Sequence, residues 1–194
     1  MNWMHRRLCA SRPWRAWLTR DLLPWALTGI PGGGTVLEIG PGPGAATDVL
    51  LTWAQRLTCV EVDSALARTL ARRLTGRDVD IRCEDATSLS APDASFDTVV
   101  CLMMLHHVAP AARQDRLLAE AARVLRPGGT FVLLDSRPSR LMDVLHVRDT
   151  MLLSDPGTFA DRLTAAGFDR AAIDVRSHSF RAVARRPDAQ AHLH

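Results

Sequence analysis

Val36-Leu37-Glu38-Ile39-Gly40-Pro41-Gly42-Pro43-Gly44-Ala45 is the stretch that decides the fold. A short apolar run carrying one acid ends on three alternating glycines and opens into a helical pattern. The spacing predicts a strand over 35–39 and a helix over 45–53, so Gly40, Gly42 and Gly44 fall in a strand-to-helix turn. Glycine lets the backbone turn sharply there and lets a ligand come close to it. Open α/β sheets bind their ligands at this place, beyond the C-terminal ends of the strands.

Outward from that turn, short apolar runs alternate with helical patterns. Strands are predicted over 57–62, 79–83, 98–103 and 130–135, and helices over 64–74 and 114–124. Leu125-Arg126-Pro127-Gly128-Gly129 reads as a helix stop. Strands separated by helices of this length argue for right-handed βαβ units and a parallel sheet covered on both faces. Further on, a helix over 158–166 precedes two strand-like stretches, 171–176 and 180–185, whose short link makes them an antiparallel hairpin. Near the start, Trp14, Trp17, Leu18, Leu22 and Trp25 recur at helical spacing and give an apolar face. The expected organisation is an N-terminal helical cap over 1–30, one α/β domain over 31–186 and a flexible tail over 187–194. The fold class is a doubly wound, mostly parallel, seven-stranded sheet with a C-terminal antiparallel hairpin and N-terminal helices.

Composition narrows the function classes. A chain of 194 residues, 47% apolar and 23% charged, has the makeup of a globular domain. It has no apolar run of the roughly 18 residues that a membrane span needs. All its basic residues are arginine, Tyr and Lys are absent, and Asn2 is the sole asparagine. The net charge of +3 is too small and too dispersed to argue for a nucleic-acid partner. Arg6, Arg7, Arg12, Arg15 and Arg20 make the N-terminus basic; no uninterrupted apolar core follows, against a secretory signal, and contact with an anionic membrane surface stays open. Cys9, Cys59, Cys83 and Cys101 form no C-x-x-C pair, so free thiols, a cytoplasmic location and no metal site are expected.

Two ligand classes compete for the glycine turn. Gly40, Gly42 and Ala45 satisfy the dinucleotide fingerprint, with Glu61 at the distance of a ribose-binding acid. A pyrophosphate, however, is held by backbone N–H groups at such a turn, and Pro41 and Pro43 supply none. Four more segments join the first: Thr58-Cys-Val-Glu-Val-Asp-Ser64, Cys83-Glu-Asp-Ala86, Phe96-Asp-Thr-Val-Val-Cys101, and Val124-Leu-Arg-Pro-Gly-Gly129 running into Phe131-Val-Leu-Leu134. In order and spacing over about 34–185, these resemble the motifs of the Rossmann-like class I S-adenosylmethionine-dependent methyltransferases. The branch that includes quinone-ring and other small-molecule enzymes is the looser match.

The resemblance implies S-adenosylmethionine as cofactor, which carries no phosphate and loses little to the prolines. It implies that Gly40, Gly42 and Gly44 lie under the methionyl and ribose parts and that Glu61 accepts from both ribose hydroxyls. It further implies that Asp85 takes the adenine amino group, with Ala86 presenting its N–H, and that Val62 and Leu102 belong to the cofactor-binding set. Glu38 suits a cofactor bearing an ammonium and a sulfonium, and Asp63 suits an N-cap for the helix that Ser64 begins.

His106 and His107 lie just past the fourth predicted strand, where the transferred methyl should sit. One of them could orient or deprotonate an acceptor, since imidazole titrates near neutrality. The Asn/Asp-Pro-Pro-Tyr/Phe motif of base- and glutamine-methylating members is absent, as is the acidic and asparagine set of catechol-type members. A small-molecule acceptor is expected, methylated on oxygen or carbon, with its pocket drawn from Trp3, His5, Trp14 and Trp17 and from Arg137, Arg140, Met142, His146, Arg148 and Met151. Arginines in such a pocket would favour an anionic acceptor. An NAD(P)-dependent reductase and a non-catalytic cofactor-binding protein are the competing readings.

Overall fold

The computed structural model describes residues 11–137 and 151–189. Seven strands form one sheet: β1 (Thr35–Ile39), β2 (Arg56–Val60), β3 (Val79–Arg82), β4 (Phe96–Leu102), β5 (Leu125–Ser136), β6 (Asp169–Val175) and β7 (Ser179–Arg185). Their order is β3-β2-β1-β4-β5-β7-β6. The first five are parallel, and β7 runs antiparallel to both β5 and β6. The order reverses between β1 and β4, which opens a crevice beyond their C-terminal ends. Gly40 follows β1 into that crevice.

The strands are buried on both faces, and alternation divides their side chains between two apolar layers. Leu37, Ile39, Val99, Cys101, Phe131 and Leu133 pack with α5 (Ala111–Val124) and α6 (Pro156–Ala165). Val36, Val100, Leu102, Val132 and Leu134 face the other way, against α3 (Thr47–Trp53) and the N-terminal helices. Those helices are α1 (Arg12–Trp17), a wider π-type turn (Leu18–Leu22) and α2 (Leu23–Ala26). Leu18, Leu22 and Leu23 are buried there, a contribution of about 1.5–3 kcal/mol each. Arg181 donates to the carbonyls of Ala26 and Thr28, and the Arg176 guanidinium lies 4.1 Å from the Trp25 ring centroid.

The sheet and hairpin agree with the sequence expectation, and the differences are local. Helix α3 starts at Thr47 rather than 45, because Gly44 turns back on Pro41 (N–H to carbonyl, 2.9 Å) and Ala46 offers no side-chain cap. Strand β2 stops at Val60, since the Glu61 carboxylate takes the amide of Asp63 and bends the chain. Strand β5 begins at Leu125, inside the expected helix stop. Gly128 donates to the Arg186 carbonyl and Arg186 to the Gly129 carbonyl, which draws the turn into the ladder. Asp63 caps α4 (Ser64–Arg73), accepting from the amides of Ala65 and Leu66. No helix among the described residues is long and apolar enough to cross a membrane.

Candidate active site

The register brings the expected site residues to one edge. Ile39 pairs with Val60 on one side and with Cys101 on the other, so Gly40, Glu61 and Leu102 are the next residues of three neighbouring strands. The Gly40 amide donates to the Val60 carbonyl and the Glu61 amide to the Arg82 carbonyl, which continues the edge to β3. Asp85 and Ala86 follow within a few residues.

Crowding explains two of the glycines. Gly44 has φ +82, and a Cβ there would overlap Arg73 Nη2 and Leu70 Cδ1 of α4. Arg73 uses that space to donate to the Gly44 carbonyl (3.0 Å) while pairing with Asp48 of α3 (2.6 Å). A Cβ on Gly40 would lie 2.8 Å from the Met104 side chain, so the turn after β4 packs on the turn after β1. Over Gly42 there is open space, and its amide is held by Glu61 Oε2 at 3.0 Å. Glu61 is buried, while Val62 beside it is 67% exposed. An open backbone cradle, a carboxylate at its rim and an exposed aliphatic face fit a nucleoside-bearing cofactor. The cofactor that the sequence resemblance implies, S-adenosylmethionine, would supply an electrophilic methyl on a sulfonium. Gly40, Gly42, Gly44, Glu61, Val62 and Leu102 all gather at this edge of the sheet.

Glu38 shares the β1 face that carries Val36 and points toward α3. Its Oε2 accepts from Thr47 Oγ1 at 2.7 Å and from the Cys59 thiol at 3.3 Å. Burial raises its pKa from 4.5 to about 7, against the lowering effect of those two bonds, and the same burial pushes the Cys59 thiol well up. The folded protein thus holds the Glu38 proton more tightly than the unfolded chain does. Its contribution to stability is complete below about pH 4.5 and is lost as pH rises through about 7. Denaturant unfolding at pH 5 and pH 8 should show this loss, up to about 3 kcal/mol. Glu38→Gln keeps an acceptor for Thr47 and should flatten the dependence; an equal slope in both proteins would remove Glu38 as its source.

Asp85 is more engaged than its expected role suggests. Burial raises its pKa, but bonds from the Thr87 amide and hydroxyl (both 2.9 Å) and the Arg113 guanidinium outweigh that and hold it below the usual range. A carboxylate offers about four lone-pair sites, so the Oδ2 facing Arg113 keeps room for one more donor. Ala86 is buried behind it.

The turn after β4 holds the second cluster. Met103 adopts φ +54 and donates its amide to the Leu134 carbonyl (2.7 Å), a left-handed residue of the kind found where a site constrains the backbone. Leu105–His107 then make a single 3₁₀ turn. His106 is buried, and its Nδ1 meets Asp135 Oδ1. The His106 amide donates to Asp135 Oδ2 (3.0 Å) and the Ser136 amide to Oδ1 (2.8 Å). His107 is half-buried, its ring centroid 4.1 Å from that of His106. Sequence reasoning missed Asp135 as a site residue, although its place at the C-terminal end of a central strand was a usable signal. It also missed Gln114, wholly buried in α5, and Arg113.

For the acceptor pocket, Trp14 is half-buried and Trp17 is 43% exposed, with ring centroids 5.3 Å apart. Arg137 is tied to the β6–β7 link, donating to the carbonyls of His178 and Arg176 (both 3.0 Å). Met151 is half-buried. Trp3, His5, Arg140, Met142, His146 and Arg148 lie outside the described residues, as do Cys9 and 190–194 of the tail.

Comparison with known proteins gives the family and the fold. The family model of a methyltransferase domain matches residues 37–133, half of the chain. The chain is 36% identical over 146 residues to a protein of Mycolicibacterium smegmatis named a probable S-adenosylmethionine-dependent methyltransferase, covering 71% of this chain and 52% of that one. It is 30% identical over 162 residues to the dimethylglycine N-methyltransferase of Parasynechococcus marenigrum, covering 76% and 56%. It therefore spans about half the length of the curated relatives it matches. The solved DhpI–SAH complex has the same fold, with a TM-score of 0.73 at 21% identity over 96% of this chain and 94% of that one. With the methyltransferase-domain model matched over half of its length and a seven-stranded sheet whose glycine turn opens on the crevice between β1 and β4, the chain belongs to the class I S-adenosylmethionine-dependent methyltransferases, whose cofactor is S-adenosylmethionine.

Proposed function

We propose that the chain transfers a methyl group from S-adenosylmethionine to oxygen or carbon of a small, partly apolar acceptor, anionic ones included. The observation that carries this is the buried His106–Asp135 pair beside the glycine turn. Methyl transfer from a sulfonium is an in-line displacement that needs alignment above all. A base is needed where the acceptor must lose a proton, as a hydroxyl or an acidic C–H must. Asp135 accepts the Nδ1 proton of His106, which leaves Nε2 as the basic nitrogen, and it holds the turn through the His106 amide. His106 is then the base and His107 its packing neighbour. The cofactor rests on the glycine turn, with Glu61 on its ribose, Asp85 and Ala86 on its adenine, and Glu38 behind the turn. The buried free thiols Cys59 and Cys101 suit a reducing compartment, so a cytoplasmic enzyme without a nucleic-acid partner is the fitting context.

Transfer of labelled methyl to a panel of phenols, enols, carboxylates and amines tests the reading. Phenols, enols or carboxylates should be methylated. Methylation confined to amines, protein or nucleic acid would sink the assignment to oxygen or carbon.

A further inference from the structure

Gln114 is the one polar side chain among the buried residues of α5, in the company of Leu117, Leu118, Ala121, Ala122 and Val124. A primary amide in a dry core is costly unless its groups are bonded, and this one is satisfied throughout. Its Nε2 donates to the carbonyl of Leu105 at 3.1 Å and to that of Leu152 at 2.8 Å. Its Oε1 accepts from Ser154 Oγ at 3.2 Å. Leu105 begins the turn that carries His106, and Leu152 and Ser154 belong to the chain returning toward α6. A second bond repeats the link, from the Leu152 amide to the His106 carbonyl at 2.8 Å. Outside it, Arg162 of α6 donates to Ser154 Oγ at 3.0 Å and pairs with Asp115 at 2.6 Å.

We propose that Gln114 is a positioning residue of the transfer site: it locks the His106 turn to the returning chain at Leu152–Ser154 and so keeps the imidazole seated on Asp135. The seat has two sides. Asp135 holds His106 from β5, and Gln114 holds the carbonyl one residue before it from α5. Without Gln114 the carbonyls of Leu105 and Leu152 would face each other across an apolar gap, and the turn would have to move to solvate them. None of these bonds is made to the glycine turn or Glu61; the Met104 side chain on Gly40 is the contact that joins the two turns, and Gln114→Met leaves it in place.

The inference rests on His106 as the acting imidazole, and its test lets the two fail separately. Gln114→Met fills nearly the same volume and removes all three bonds. In histidine-labelled wild-type protein, nuclear magnetic resonance should show His106 as a single tautomer protonated at Nδ1, with slow exchange of that proton. In Gln114→Met the tautomer should become mixed and the exchange fast, while S-adenosylhomocysteine affinity stays within about twofold. Turnover on the panel acceptor that the wild-type chain methylates fastest should fall about tenfold to hundredfold, the scale of a displaced reacting group. Unchanged His106 signals would overturn the proposal. A wild-type chain inactive on every panel acceptor would overturn the functional reading, and the resonance result would still decide Gln114. Should Gln114→Met fail to fold, Ser154→Ala decides: faster exchange at the Leu152 amide and His106 Nδ1 supports the lock, and unchanged exchange at both overturns it.

Discussion

Gly44→Val should abolish measurable S-adenosylhomocysteine binding and lower the melting temperature by several degrees. Valine at φ +82 is a β-branched residue in the left-handed region, a cost of about 1–2 kcal/mol. Its side chain would also meet Arg73 and Leu70 of α4, adding about 1–3 kcal/mol of overpacking. Relief requires Arg73 to release both the Gly44 carbonyl and Asp48, and so to loosen the turn that carries Gly42. Gly76→Ala is the matched control. Gly76 has φ +81, and a methyl there would have no neighbour within 4 Å, so alanine carries backbone strain alone and should leave binding intact. Calorimetric titration and thermal melts of both variants read this directly. Equal binding by Gly44→Val and the wild-type chain would show that the turn does not shape the cofactor site.

Asp135→Ala should be the most destabilising single truncation at the site, by about 3–5 kcal/mol, the scale of a broken buried pair. It strands three donors in a dry place: the His106 ring, the His106 amide and the Ser136 amide. Asp135→Asn separates stability from chemistry. The amide oxygen still accepts, but its NH₂ group faces donors, so the ring is pressed toward the other tautomer and loses its basic Nε2. Transfer should fall by roughly 10²–10⁴ in that variant, the usual worth of a positioned base. Cofactor affinity should hardly change, because Asp135 makes no bond to the glycine turn. A variant that folds and keeps wild-type turnover on a hydroxyl acceptor would remove His106 from the chemistry.

What the sequence disclosed follows the range of the interactions involved. The glycine turn is local: three glycines, their two prolines and the flanking strand and helix patterns lie close together along the chain, and the edge they predict is the edge that forms. The places of Glu61, one residue past β2, and of Asp85, three past β3, were legible for the same reason, because each follows closely on a short strand. Asp135 was visible only as a strand end, since its partner His106 lies 29 residues away, and nothing in either segment announces the pairing. Gln114 looked like an ordinary polar position in a helix. Its burial depends on chain returning at Leu152 and Ser154, up to 40 residues further on. The altered start of β5 has a similar origin, because Arg186, just past the end of β7, draws Gly128 and Gly129 into the sheet. The engagement of Asp85 by Arg113 also needed the fold, as α5 brings that guanidinium from 28 residues away.

The Gly40–Gly44 turn and Glu61 are proposed to hold S-adenosylmethionine rather than a dinucleotide. Calorimetric titration of the wild-type chain with S-adenosylhomocysteine and, in parallel, with NADPH decides between the two. Saturable one-to-one binding of the first and no heat from the second is the expected result, since Pro41 and Pro43 offer no N–H to a pyrophosphate. Saturable binding of NADPH with none of S-adenosylhomocysteine would contradict it.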